Sequence, residues 1–244
     1  MLSCVNGHHY DSNKRGFLNV LDTSRGISGD PRDLLDARAA FLATGRYERI
    51  ADAVSSALPW DRPLSVLDAG SGTGYYLAEV LRRGLGRDGL ALDASAAAVA
   101  MSVAATDSPG LVADTWQPLP LRDSRADAIL CIFAPRNAAE FARILRSDGR
   151  LVVVTPGPSH LHELRRAGLI MGIQDDKRDR LAAALGAVFE AAGDASVTYE
   201  IALNEAEGRL LSGMGPSGHH EITGVWHGGS VTVEVNVSVW LPLQ

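Results

Sequence analysis

Ser65-Val66-Leu67-Asp68-Ala69-Gly70-Ser71-Gly72-Thr73-Gly74-Tyr75-Tyr76 joins an apolar, strand-like run to a helix through a turn of alternating glycines. Glycines at 70, 72 and 74 allow a tight turn and a close approach to a ligand, because no Cβ stands in the way. The helix that follows presents free N–H groups at its start. Asp93 ends the next strand-like run, Gly89-Leu90-Ala91-Leu92, near the separation at which a carboxylate binds ribose hydroxyls. Together these residues form what an adenosine-containing cofactor requires at the carboxyl edge of an α/β sheet.

The spacing narrows the cofactor. The pattern is Gly-x-Gly-x-Gly, and the third glycine of a dinucleotide fingerprint would fall at Tyr75. That disfavours NAD and FAD. Asp68, just before the turn, would also repel a pyrophosphate. S-adenosylmethionine carries an ammonium and a sulfonium and no phosphate, so it fits both departures. Gly70, Gly72 and Gly74 then shape its pocket beside Asp68, and Asp93 takes the ribose. Asp114, after the third strand-like run, has two readings: a contact to the adenine amino group, or a loop acid that caps the turn near Pro118.

Alternating elements must position these groups. Val66-Leu67, Leu90-Ala91-Leu92, Leu111-Val112-Ala113, Ala128–Phe133 and Leu151–Val154 read as buried strands. Tyr75–Arg83, Ala96–Ala105 and Ala138–Leu145 read as the helices between them. The pattern predicts a mostly parallel sheet covered on both faces, a Rossmann-like α/β fold. Upstream, Asp30 and Pro31 open a helix with Asp30 as its cap, and a second helix runs from Tyr47 to Leu58. Downstream, Arg180–Ala192 reads as a helix. The strictly alternating Ser230–Trp240 reads as an antiparallel strand closing the sheet. Residues 1–30 are rich in turn formers and too few for a core of their own. The expected organisation is a short irregular N-terminal segment over 1–30, a helical linker over 31–62 and the cofactor domain over 63–244.

The 244-residue chain has two cysteines, Cys4 and Cys131, and no apolar run of membrane-spanning length, which points to a cytoplasmic protein without a membrane partner. A net charge of −6 argues against a non-specific nucleic-acid coat. Residues 122–166 nonetheless carry eight arginines against five acids, which permits a polyanionic substrate.

Several stretches carry a more specific signal. They are Cys4-x-x-x-His8-His9-Tyr10-Asp11, Lys14–Leu21, Gly29-Asp30, Ala37–Leu42 with Gly45 and Tyr47, Phe133-Ala134-Pro135, and Thr155-Pro156-Gly157-Pro158-x-His160-Leu161-x-Glu163-Leu164. With the glycine turn, they resemble the bacterial 23S rRNA (guanine-N1)-methyltransferases, a family that includes macrolide-resistance enzymes. The resemblance covers most of the chain to about residue 166 and fades beyond it.

It implies a class I S-adenosylmethionine-dependent methyltransferase domain, a zinc-bearing N-terminal module that recognises a 23S rRNA stem-loop, and a homodimer. It further implies that Tyr47 and His160 complete the cofactor wall, beside Gly72 and Thr73. The family's zinc site joins an upstream C-x-x-C to a C-x-x-x-H, and only Cys4 and His8 match. Since structural zinc takes four ligands, either the metal is lost or the chain starts upstream of Met1. Asp11, Asp114, His160 and Glu163 are candidates by type for accepting the guanine N1 proton. Lys14, Arg15, Arg25, Arg136, Arg165 and Arg166 are candidates for RNA contact. Two other readings stand beside this one: a methyltransferase of small molecules, and a non-catalytic protein that binds the cofactor or RNA.

Overall fold

In the computed structural model, residues 2–3, 9–10, 13–21, 26, 29–59, 62–84, 86–170, 177–214 and 224–243 are described. Short strands β1 (Leu2–Ser3) and β2 (His9–Tyr10) pair antiparallel. There follow β3 (Phe17–Asn19), α1 (Arg32–Leu42), α2 (Glu48–Ser56), β4 (Leu64–Ala69), α3 (Tyr75–Arg82), β5 (Gly86–Asp93) and α4 (Ala96–Thr106). The chain continues through β6 (Gly110–Val112), β7 (Ala126–Ile132), α5 (Ala138–Ile144), β8 (Leu145–Pro156), α6 (His162–Arg166) and α7 (Lys177–Leu185). It ends with β9 (Phe189–Leu203), α8 (Glu205–Gly213) and β10 (Gly229–Pro242).

The main sheet has eight strands in the order β3-β6-β5-β4-β7-β8-β10-β9. β10 is antiparallel to both its neighbours, and every other pairing in the sheet is parallel. The strand order reverses direction between β4 and β7, so the crevice at their carboxyl ends is the place where such sheets bind ligands. β7 is buried at all seven positions, as a strand covered on both faces must be. One core layer packs α2 and α3 against one face of the sheet, which includes the valines of β10, and a second gathers Phe141, Leu181, Leu185 and Phe189 on the other.

Three regions differ from their reading in the sequence. Asp30 does not cap α1: Pro31 holds the N-cap position without a side-chain cap, and Asp30 instead pairs with Arg38 at 2.7 Å. The helix expected over 180–192 stops at Leu185, and residues 189–192 enter β9. Glu190, Ala191 and Ala192 favour helix intrinsically, but the long ladder offered by β10 captures them from Phe189 onward. β10 is therefore an interior strand, and β9 forms the edge. Further elements were not anticipated, among them β1, β2, β3, α6 and α8. β3 pairs with β6, and α8 begins on a capping box of Asn204 and Glu207.

Asp127 fastens the amino ends of the two central strands. It accepts from the Ser65 N–H at 2.8 Å and from Arg62 at 2.5 Å. Burial pushes its carboxyl up, but the Ser65 and Arg62 donors outweigh that and hold it below the ordinary aspartate value. A depressed carboxylate stabilises the fold above its unfolded value and loses that contribution as the pH falls through its folded value. Asp127→Asn should therefore lower the melting temperature by several degrees at pH 7. The gap to the parent protein should close as the pH drops below the ordinary value of 3.8. Thermal melts across pH check this.

Candidate active site

The turn after β4 is held in a backbone shape that side chains would prevent. Gly70 has φ 80°, and a Cβ there would lie 2.4 Å from the Ala134 Cβ. Gly74 has φ 79°, and a Cβ there would lie 2.7 Å from the Ser102 Cα. Ser102 on α4 donates to the Gly72 carbonyl and to Ser71 Oγ, tying the turn to the neighbouring helix. Thr73 and Ser71 are buried within it.

Asp93 locks the same turn from the next strand. Its Oδ2 accepts from the Gly72 N–H at 3.0 Å and its Oδ1 from the Ser95 N–H at 2.8 Å. Burial pushes the Asp93 carboxyl up, opposed by these two donors. Each oxygen keeps a second lone pair, so the carboxylate can still accept from ribose hydroxyls. The Ala113 N–H donates to the Asp93 carbonyl, which sets Asp114 beside it at the end of β6.

Asp114 has one oxygen engaged in the chain and one without a partner. Oδ1 accepts from the Trp116 N–H at 2.9 Å and shapes the local turn. Oδ2 is buried and has no hydrogen-bond partner. A buried carboxylate oxygen without a donor is costly, and an adenine amino group is the kind of donor it lacks.

Asp68 is a carboxyl shut away from solvent. It is 2 % exposed, and burial, with the Asp93 charge adding to it, pushes its carboxyl up to about 7. The phenol of Tyr76 is also buried without a partner, and burial raises it well above the tyrosine range. A cationic ligand with both donors and acceptors, such as an amino-acid ammonium and carboxylate, answers both deficits.

Tyr47 and His160 are 113 positions apart and meet in the fold, the phenol oxygen standing 3.5 Å from His160 Nε2. Tyr47 lies just before α2, packed edge-on against Phe41 with ring centroids 5.1 Å apart. The Glu234 N–H donates to His160 Nδ1 at 3.3 Å, so the neutral ring carries its proton on Nε2 and points it toward Tyr47. Glu234 also accepts from the Ser159 N–H at 2.7 Å, and its carbonyl accepts from Gly157. β10 thus fixes the whole Pro156–His160 turn.

Two of the proton-acceptor candidates are occupied structurally. Glu163 accepts from the Thr232 N–H and hydroxyl, and His160 is held between Glu234 and Tyr47. Arg165, a candidate for RNA contact, donates instead to the carbonyls of His160 and Pro158. Cys4, His8, Asp11 and Arg25 lie outside the described residues. Among the described residues no group of three or more His, Cys, Asp or Glu is placed to hold a metal ion.

Sequence reasoning missed Arg38 and Glu234. Arg38 bridges Asp30 and the Met214 carbonyl, and a Cβ at Gly72 would stand 3.1 Å from its Nη1. It therefore lies over the glycine turn. In the sequence it was one position in a helical pattern, and no local signal marks it. Glu234 sits in a strand whose alternation predicts only which face it shares.

Residues 67–153 match the family model of the methyltransferase domain. The 23S rRNA (guanine(748)-N(1))-methyltransferase of Streptomyces fradiae is 41% identical over 226 residues, 90% of this chain and 80% of its own. A Micromonospora griseorubida protein, provisionally named a 23S rRNA (guanine-N1)-methyltransferase, is 38% identical over the same shares of the two chains. Among solved structures, a Bacillus halodurans protein provisionally named a methyltransferase superimposes with a TM-score of 0.55 at 14% identity, covering 78% of this chain and 97% of its own. At that identity the structural likeness speaks for the fold alone.

The Asp68 geometry sets a pH prediction. A carboxyl raised in the folded state contributes stability that is complete below 3.8 and lost as the pH rises through about 7. Asp68→Asn should therefore match the parent in thermal stability at or below pH 3.8 and exceed it by on the order of a few kcal/mol at pH 8.5. Its affinity for S-adenosylmethionine at pH 8 should fall by roughly tenfold or more, because a buried counter-charge is lost. Calorimetric titration beside melting curves checks both.

Proposed function

The chain belongs to the 23S rRNA (guanine-N1)-methyltransferase family, and we propose a division of labour among its residues for that reaction. It is an S-adenosylmethionine-dependent enzyme that methylates N1 of a guanine in 23S rRNA. The observation that carries the assignment of residues is the turn at Gly70–Gly74, pinned by Asp93 at the carboxyl edge of β4.

Asp68 answers the ammonium of the cofactor, Asp93 its ribose hydroxyls and Asp114 Oδ2 its adenine amino group. Arg38 holds the turn at Gly72, and Tyr47 with His160 closes the wall at the methionine end. When bound, S-adenosylmethionine supplies a methyl group on a positively charged sulfur, a carbon open to direct attack. The protein then has to hold guanine N1 in line behind that carbon and exclude water. N1 lies on the Watson–Crick edge and carries a proton, so the base has to be unpaired or turned out of its stack, and the proton has to leave. Methylation then makes the N–C bond as the S–C bond breaks.

Much of the basic segment over 122–166 is committed within the fold. Arg143 pairs with Glu140 and Asp123, Arg146 with Asp127, and Arg150 donates to the Ala57 carbonyl. Arg136 and Arg166 have no ion-pair partner among the described residues, and with Lys14 and Arg15 they are the residues we assign to RNA phosphates. No helix among the described residues is long and apolar enough to cross a membrane. An rRNA acceptor supports a cytoplasmic location. The homodimer is carried over from the family resemblance.

Single-turnover methylation of large-subunit rRNA lacking this modification tests the reading. Methyl incorporation at guanine N1 is expected, and methylation of small metabolites in its place would favour the small-molecule alternative. Arg15→Ala should weaken RNA binding several-fold, reduce its salt dependence and leave cofactor affinity intact. Light scattering should give about twice 25.9 kDa.

A further inference from the structure

We infer that Phe133 is the surface on which the acceptor guanine stacks, with its ring braced from one side by His160. The inference rests on the family reading for the identity of the base, and on the fold for the place.

Phe133 follows β7 directly, at the carboxyl end of the strand that forms one side of the switch-point crevice. The register of β7 with β4 sets Leu130 opposite Asp68, which carries Phe133 to the level of the glycine turn. Ala134, the next residue, touches Gly70. The polar groups suited to the cofactor's adenosine part, Asp93 and Asp114, lie on the β5 and β6 side of β4. Phe133 lies on the β7 and β8 side, where the acceptor must approach the methyl group.

The ring is held there against two ordinary preferences. It is 43% exposed, after seven residues that are all buried. Its φ is 54°, a left-handed backbone that bulky side chains rarely adopt. Leu161, just after His160, also has a left-handed φ of 57°. The Phe133 N–H donates to the Val154 carbonyl and the Leu161 N–H to the Thr232 carbonyl, so hydrogen bonds to β8 and β10 hold both residues in place. Strain of this kind persists where a side chain has to be aimed.

What it is aimed at follows from the ring contacts. Phe133 and His160 stack with centroids 6.1 Å apart and planes 27° from parallel. His160 is 8% exposed and Phe133 much more open, so the pair presents a braced aromatic face toward solvent. A flat, unpaired base is the partner such a face fits, because every base offers a π-face to stack. Trp116, the other large exposed aromatic among the described residues, follows Asp114 on the adenine side. It is placed for the cofactor's edge of the crevice and not for the acceptor's.

Phe133→Leu keeps bulk and apolarity but removes the π-face, and Phe133→Trp keeps it. Three measurements separate the readings. Calorimetry with S-adenosylmethionine should give affinities within roughly twofold for parent and both variants. Guanosine titrated into protein saturated with S-adenosylhomocysteine should show upfield ring-current shifts of its H8 proton with the parent and Phe133→Trp, and not with Phe133→Leu. With rRNA, kcat/KM should fall roughly fivefold or more in Phe133→Leu and be largely kept in Phe133→Trp, as the loss of one stacked base implies.

A loss of cofactor affinity equal to the loss of RNA turnover would assign the ring to the cofactor wall and overturn the inference. So would a guanosine response that is absent from the parent or unchanged in Phe133→Leu. If the parent fails to methylate rRNA, the family reading of the acceptor falls, and the guanosine titration still decides whether the ring is a base platform.

Discussion

The Asp93 carboxylate bound to the Gly72 N–H is the contact through which the rest of the site is organised. It joins the turn after β4 to the end of β5, and its second oxygen reaches the N–H of Ser95, which caps α4. α4 in turn supports the glycine turn through Ser102. The same Ser95 donates its hydroxyl to the Asp30 carbonyl, drawing in the segment that leads to α1. One carboxylate therefore sets the shape of the turn, the start of a helix and the approach of the N-terminal region. Substitution elsewhere in the sheet would act on packing, whereas a change here would alter the pocket itself.

The site has two sides with different physics. From β4 towards β6 the site is polar, with the buried Asp68 and Asp93 carboxyls both pushed up by burial and one Asp114 oxygen without a hydrogen-bond partner. For Asp68 burial is the larger cause and the Asp93 charge adds to it, and a cationic or donor-rich ligand relieves both. The β7 and β8 side is aromatic, with Phe133, His160 and Tyr47 in successive contact. A pocket divided in this way suits two ligands at once, one charged and one flat. It also makes stability and function pull in opposite directions at Asp68, because the charge that attracts the ligand destabilises the empty fold.

β10 has a role beyond completing the sheet. Its alternating valines Val231, Val233, Val235 and Val237 pack into the core, while Thr232 and Glu234 on the other face clamp α6 and the turn that carries His160. The resemblance does not fade beyond residue 166 as the sequence suggested, since the relatives align with 90% of the chain, and this last third positions His160 in the preceding motif. Direct contact explains this, since β10 pairs with β8 along Leu151–Pro156 and stops beside the turn.

The chain's local order disclosed the features that depend on it. The glycine spacing, Asp68 before it and the apolar runs at 66–67 and 128–133 determined a buried parallel sheet with a cofactor turn, because such residues have few other stable arrangements. The motifs over 4–47 and 155–164 pointed to the acceptor. Tertiary structure decided what no window of neighbours contains. It drew residues 189–192 into a strand because β10 supplied partners, moved Asp30 from a helix cap to Arg38, and placed Arg38 over Gly72. It also brought Tyr47, Phe133, His160 and Glu234 together from four separate elements. The reason is physical: side-chain type and spacing fix what a segment prefers, but the groups that face one another across the crevice are set by which strands pair.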